Sequence, residues 1–333
     1  MKYPIILTMA LSTSFLAACG GGGSETAIPA PVPTAALNST NQNLAAQEAS
    51  STAFLPLIGA QTLTGAQTTD ERVLFKIARA QLDKLPTYLA DAQSNNALIG
   101  AVQSQTYQCT SGGSMTVSVS DADNNNVVSA GDSVTIIGNN CVESGETITG
   151  SLGLVIDRLS GVYESTSYSA GITMTFNGLS VANSQYSISM NGSLSLTAVA
   201  NGVHSLSQTL STPSLTVSAT YAGVLRSRTL TTYRATATRS PNVTYGYLDS
   251  YTVSGAVTSS SLPGQTITFN TPTPMVARPI DDYPSSGVMV ITGGANSQIK
   301  LTALSNTQVR QELDANGDGI YESSTTVNWN TLL

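Results

Sequence analysis

At 333 residues and 34.3 kDa, the chain is long enough for one large domain or two small ones of roughly 100–200 residues, and its 41% hydrophobic content excludes wholesale disorder. Charged residues supply only 10%, against about 25% in ordinary soluble domains, while Ser plus Thr supply roughly a quarter, the composition of an exported β protein. A balance of 13 basic to 20 acidic residues, net charge -7, offers no basic field for nucleic acid, and one histidine with three cysteines excludes most His-based metal sites and makes a Ser-His-Asp apparatus improbable.

The chain opens with Lys2, an apolar stretch from Ile5 to Leu16, and then Leu16-Ala17-Ala18-Cys19. That stretch is too short for a stable membrane helix and reads as the core of a signal peptide, residues 1–18. The tetrapeptide resembles the lipobox of bacterial lipoproteins. The resemblance implies cleavage before Cys19, lipidation of Cys19 (palmitate included) and, with Gly20 rather than aspartate following, sorting to the outer membrane. Residues 19–65 then carry a glycine run, prolines at Pro29, Pro31 and Pro33, and Ala/Asn/Gln/Ser-rich sequence. Such composition buries little apolar area and predicts a lipidated flexible tether.

The folded body is expected over 66–333. Asp70 is placed to cap a helix whose Val73, Leu74, Ile77, Ala78, Leu82, Leu85 and Leu89 follow three- and four-residue spacing, with Pro86 kinking it. Beyond Gln105 the period becomes two. Met115, Val117 and Val119 alternate with hydroxyl residues, as do Leu152-Leu154-Ile156, Ile188-Met190, Leu194-Leu196, Leu215-Val217-Ala219 and Ile299-Leu301-Ala303. Asn-Gly and Gly-Gly pairs punctuate these runs, which predicts about 14 antiparallel strands. Glycines near Gly150, Gly192, Gly255 and Gly287 precede small and branched residues at irregular spacing, which is not a solenoid repeat. So long a sheet must curl, close or fold over to protect its edges. The expected fold is all-β: a large curved antiparallel sheet or barrel-like sandwich preceded by a short helical segment. Sparse aromatics argue against a membrane-spanning barrel.

In an oxidising compartment the two cysteines left beside Cys19, Cys109 and Cys141, are expected to pair. Between them, Asp121, Asp123, Asn125, Ser129 and Asp132 stand at positions 1, 3, 5, 9 and 12 of a twelve-residue segment, with the Val127 carbonyl at 7. This resembles the calcium loop of the EF-hand, the dockerin-type variant especially, although Asn126 replaces the usual glycine and strands flank it. The resemblance implies a structural calcium; an Asn/Asp-rich hairpin without metal is the alternative. A second segment offers Asp314, Asn316, Asp318, the Ile320 carbonyl and Glu322, with Thr325 where a twelfth carboxylate belongs, and reads equally as a tight β-turn.

Arg226, Arg228 and Arg234 share parity on one predicted strand, with Arg239 nearby, and guanidinium groups recognise carboxylates or phosphates; a solvated strand face is the competing reading. Tyr245, Tyr247 and Tyr251 also share parity, which suits stacking on sugar rings or cross-strand packing. Asp281-Asp282 is weak as a glycosidase pair, because such carboxylates face each other across a substrate. His204 has no nucleophile motif around it. Cys109-Thr110-Ser111-Gly112-Gly113-Ser114, the acidic loop, Cys141 and the terminal acidic segment look like β-rich bacterial lipoproteins of unknown function. The expectation is a non-catalytic binding or structural lipoprotein of the outer membrane, surface-exposed or periplasmic, with a glycan or envelope partner. A periplasmic carrier of an apolar molecule or an envelope scaffold is the alternative, and a glycan hydrolase stands third.

Overall fold

A computed structural model of the chain describes residues 33–62, 87, 103–162 and 165–332, with helix side chains as far as Ala53. Helix α1 (Gln42–Thr62) precedes fourteen strands: β1 (Gln103–Gln108), β2 (Ser114–Ser120), β3 (Ser133–Glu143), β4 (Glu146–Gly161), β5 (Ser167–Ala182), β6 (Tyr186–Asn201), β7 (Leu206–Tyr221), β8 (Val224–Asn242), β9 (Gly246–Ser259), β10 (Gln265–Ala277), β11 (Ser286–Thr292), β12 (Gln298–Ala303), β13 (Gln308–Asp314) and β14 (Ser323–Asn328). They pair in chain order into one antiparallel sheet that stays open, with β1 and β14 as its edges. This is the large antiparallel sheet that the period-two alternation predicts, built as a single layer of strands with a helix against it.

The alternation divides the sheet into two chemically distinct faces. Val117, Val134, Leu152, Ile172, Ile188, Leu215, Leu230, Val257, Ile267, Met289, Leu301 and Val309 turn inward into one core. Hydroxyl side chains turn outward and bond across neighbouring strands: Ser104 to Ser118, Thr106 to Thr116, Thr216 to Thr229, Ser218 to Ser227 and Thr258 to Thr266, at 2.6–3.0 Å. Cross-strand hydroxyl pairs of this kind stabilise a sheet locally and leave its outer surface polar.

A line of irregularities crosses the long strands at mid-height. Pairing shifts register at Thr149/Ser151, Phe176/Leu179, Gly192/Ser195, Thr231/Arg234 and Asn270/Thr273. Gly150 and Gly192 have φ of +82° and +127°, and a Cβ on either would lie 2.2 or 2.4 Å from a neighbouring carbonyl oxygen. Each bulge bends its strand and increases local twist, so an aligned series coils the sheet. Gly255 and Gly287 lie on the same line, with tight approaches to Tyr233 and Met275. The irregular glycine spacing in the sequence therefore follows strand length; the glycines are neighbours in space.

The tether assignment over 19–65 needs correction for its second half. Residues 33–37 form a strap: Thr34 bridges Thr266, Gly294 donates to the Ala35 carbonyl at 2.7 Å, and Leu37 is buried. Asn38 and Asn41 then start α1 reciprocally. The Asn38 carboxamide accepts from the Thr40 and Asn41 N–H groups, and the Asn41 carboxamide accepts from the Asn38 N–H, in the manner of a capping box. Ala45, Ala46, Ala49 and Ala53 are buried as α1 crosses β8 to β12. Alanine-rich sequence, which looked too poor in apolar bulk to pack, is a strong helix former, and its small side chains let the helix approach the sheet closely. The helix expected from Asp70, save for helical and exposed Thr87, lies outside the described residues, as do the signal peptide and Cys19.

Candidate functional site

Both acidic segments fold as sequences of turns in which side-chain oxygens accept backbone N–H groups. In the β2–β3 connection, buried Asp132 accepts from Ala122 at 2.9 Å and Ser129 at 2.6 Å, Asp121 from Asn126 at 2.8 Å, and Asn125 from Val127 at 2.6 Å. Asn126 adopts φ of +59°, the conformation for which glycine is the usual choice and which asparagine tolerates. Carboxylate oxygens of Asp121, Asp123 and Asp132 lie within 4.8 Å of one another. Ser129 bonds Asp123 at 3.2 Å.

In the β13–β14 connection, buried Asp314 accepts from Gly317 at 2.7 Å and Gly319 at 2.9 Å, and Asn316 accepts from Asp318 at 2.9 Å. The Asp318 carboxylate accepts from Ile320 at 2.8 Å, and Glu322 folds back to the Ala315 N–H. Asp314, Asp318 and Glu322 also converge within 4.8 Å. Thr325 is outside the loop, paired with Gln311 on the strand. Both clusters hold hard oxygen donors of the kind calcium takes. The same hydrogen bonds also suffice to hold a turn without an ion.

Cys109 and Cys141 form a disulfide that ties the β1–β2 turn to the end of β3. Beside it, the Thr110 hydroxyl and N–H both donate to Glu143 at 2.8 Å, which holds that carboxyl below its ordinary value.

The arginine stripe divides. Arg226 and Arg228 lie inward with Leu230, but the extra residue around Thr232 (φ of +48°) resets the parity, so buried Tyr233 takes the inward position and Arg234 faces outward. Strand parity from the sequence alone therefore misplaces Arg234, because one bulge flips every side chain beyond it. Arg239 rejoins the inward face and is engaged bidentately by Asp249 at 2.8 and 2.9 Å, which firms its protonation. Arg228 pairs with Glu48 of α1 at 2.6 Å, and that glutamate is only 3% exposed. No carboxylate pairs with Arg226 among the described residues.

Tyr247 stacks on His204 at 5.3 Å between ring centroids, and the Arg239 guanidinium sits 4.0 Å from its centre. Burial pushes the Tyr251 phenol well above its ordinary range. Tyr245 stands in the β8–β9 turn, 5.6 Å from Arg278. Asp281 receives Arg278 bidentately at 2.8 Å and Asn306 at 2.9 Å, which lowers its carboxyl. These side chains form two sets, one built on the Arg239–Asp249 pair and one on the Arg278–Asp281 pair.

Sequence reasoning missed two features. One is the Glu48–Arg228 pair, whose members are 180 positions apart and leave no local signal. The other is a cleft of about 440 Å³ at the opposite end from the tyrosines, lined by Val217, Ala219, Tyr221, Val224, Arg226 and Arg228. No family model matches the sequence, and neither a curated protein nor a solved structure matches it.

Proposed function

We propose that the protein is a lipid-anchored, non-catalytic binding module of the bacterial cell envelope, held to the outer membrane through Cys19. The observation that carries the binding reading is the sidedness of the sheet: a hydroxyl-paired outer face backs an apolar inner face that opens into a cleft. A sheet of this kind presents a broad surface, and Arg239, Asp249, Arg278 and Asp281 near its tyrosine-rich end are already engaged in ion pairs. His204 stacks on a ring and Asp281 is clamped by a guanidinium. The lipobox-like Leu16-Ala17-Ala18-Cys19 supports the anchor.

Protease shaving of intact cells, with a known periplasmic protein as integrity control, tests the placement. Digestion in intact cells fits a surface module with a glycan or matrix partner. Protection that is lost on permeabilising the outer membrane fits the second reading, a periplasmic carrier or envelope scaffold, which the apolar cleft favours. Digestion that fails even after permeabilisation contradicts an envelope address.

Structural calcium at the two acidic loops belongs to the same proposal, with Asp121, Asp123 and Asp132 in one set and Asp314, Asp318 and Glu322 in the other. Bound ion stabilises only the folded chain, so the melting temperature rises with calcium concentration. Identical melts in calcium and in chelator contradict it.

A further inference from the structure

The inward face of the β7–β8 hairpin consists, near its turn, of three cross-strand pairs: Val217 with Arg228, Ala219 with Arg226, and Tyr221 with Val224. The apolar floor continues into β6, where Met190, Ile188 and Tyr186 stand beside Val217, Ala219 and Tyr221. Val217 and Ala219 are buried, whereas Val224, at the mouth, is 61% exposed. At about 440 Å³ the cleft falls in the range of small-molecule sites, roughly 300–1,000 Å³.

Its electrostatics are asymmetric. Arg228 already carries the Glu48 carboxylate. Arg226, one step nearer the mouth, has no acidic partner among the described residues, and β9 ends at Ser259 opposite Arg228, short of Arg226. Among the described residues, one guanidinium without a carboxylate partner thus stands at the rim of an apolar trough. In a chain of net charge -7 no long-range field gathers anions, so recognition of a negative group here has to be local.

We propose that this cleft binds a single amphipathic anion, an acyl chain that lies on Val217, Ala219 and Tyr221 and ends in one carboxylate or phosphate held by Arg226. A neutral apolar molecule would leave the guanidinium unused. A multiply charged head would find no second free cation among the described residues of the cleft, because Arg228 is engaged by Glu48. The proposal rests on the binding-module reading, and it names the ligand class of that module without depending on which side of the membrane the body occupies.

The test is calorimetric titration of the full chain carrying Cys19→Ala, so that no attached acyl group can enter the cleft, with decanoate, decyl phosphate and decanol as probes. Decanoate and decyl phosphate are expected to bind saturably, one per chain, and decanol about tenfold more weakly than decanoate, the equivalent of about 1.4 kcal/mol. Arg226→Gln weakens both anions by about the same factor and leaves decanol unchanged. Arg234→Gln, on the opposite face, changes none of the three. Tighter binding of decanoate assigns the head to a fatty acid and tighter binding of decyl phosphate to a phospholipid-type head; either sustains the proposal. Val224→Asp, which puts a negative charge at the exposed mouth, abolishes binding of both anions while the melting temperature holds. Absence of saturable binding, or equal anion affinity in the parent chain and Arg226→Gln, overturns the proposal. Failed binding by the Cys19→Ala chain while the wild type labels with palmitate in cells overturns the ligand alone, and an unlabelled wild type with intact binding by the Cys19→Ala chain overturns the anchor alone.

Discussion

Glu48 is the only acidic residue of the strap and the described part of α1, and it sits almost fully buried against Arg228. Breaking a buried pair by removing one partner takes away much of what compensates the other charge. Arg228 keeps a 23% exposed side chain, so water relieves part of the penalty. Glu48→Ala is therefore expected to destabilise by about 2–3 kcal/mol, below the roughly 3–5 kcal/mol of a fully buried pair. Urea denaturation checks it, and an unchanged midpoint contradicts the pairing.

Asp281 gives a second prediction at this scale. Its carboxyl is held low mainly by the Arg278 guanidinium, with Asn306 adding to it. A depressed folded value means that its stabilisation is complete above about pH 4, where the unfolded carboxyl is ionised, and is lost as pH falls through the folded value. The stability gap between the wild type and Asp281→Asn should hold from neutral pH to about pH 5 and narrow below about pH 4. A gap of constant size across stepped-pH denaturation contradicts it.

At the scale of elements, the aligned bulges give the sheet its bend, and Gly150 is the most sharply constrained member. Its φ of +82° and the 2.2 Å approach to the Gly178 oxygen leave no room for a Cβ. Gly150→Ala should cost about 2–3 kcal/mol, read as a fall in melting temperature, since it combines a strained backbone with a steric clash. Gly178→Ala, whose Cβ position meets nothing within 4 Å, carries only the conformational strain of φ +57° and should cost less. The disulfide acts on the same scale. Its 32-residue separation predicts that Cys109→Ser with Cys141→Ser loses roughly 3–4 kcal/mol in the chain-entropy model, measured by urea denaturation. A double variant as stable as the parent contradicts that account.

Much of this architecture is legible locally and some is not. Strands were readable because a two-residue period repeats within each one, as in Met115, Val117 and Val119. The Asx spacing around Asp121 and Asp314 likewise marked loops whose side chains bond their own backbone. Bulges escaped because an inserted residue declares itself only against the neighbouring strand, which is why Arg234 landed on the wrong face. Helix α1 escaped because its alanines carry little apolar area, although Asn38 and Asn41 supplied a capping signal. The cleft requires β7 and β8 in register, and Arg226 becomes informative only once Glu48 is seen to engage Arg228.

At the scale of the whole molecule, fourteen strands in chain order form an open sheet whose inner face holds a helix and a cleft and whose outer face is laced with hydroxyl pairs. Neither edge strand carries a charge or a proline: β1 reads QSQTYQ and β14 reads SSTTVN. The proposed recognition or carrier role at a membrane surface depends on lipidation of Cys19. The most direct measurement is metabolic labelling of producing cells with radioactive palmitate, followed by immunoprecipitation of the chain. Label is expected on the wild type and none on Cys19→Ala, with the wild type in the outer-membrane fraction. An unlabelled wild type, or label that persists in Cys19→Ala, contradicts it.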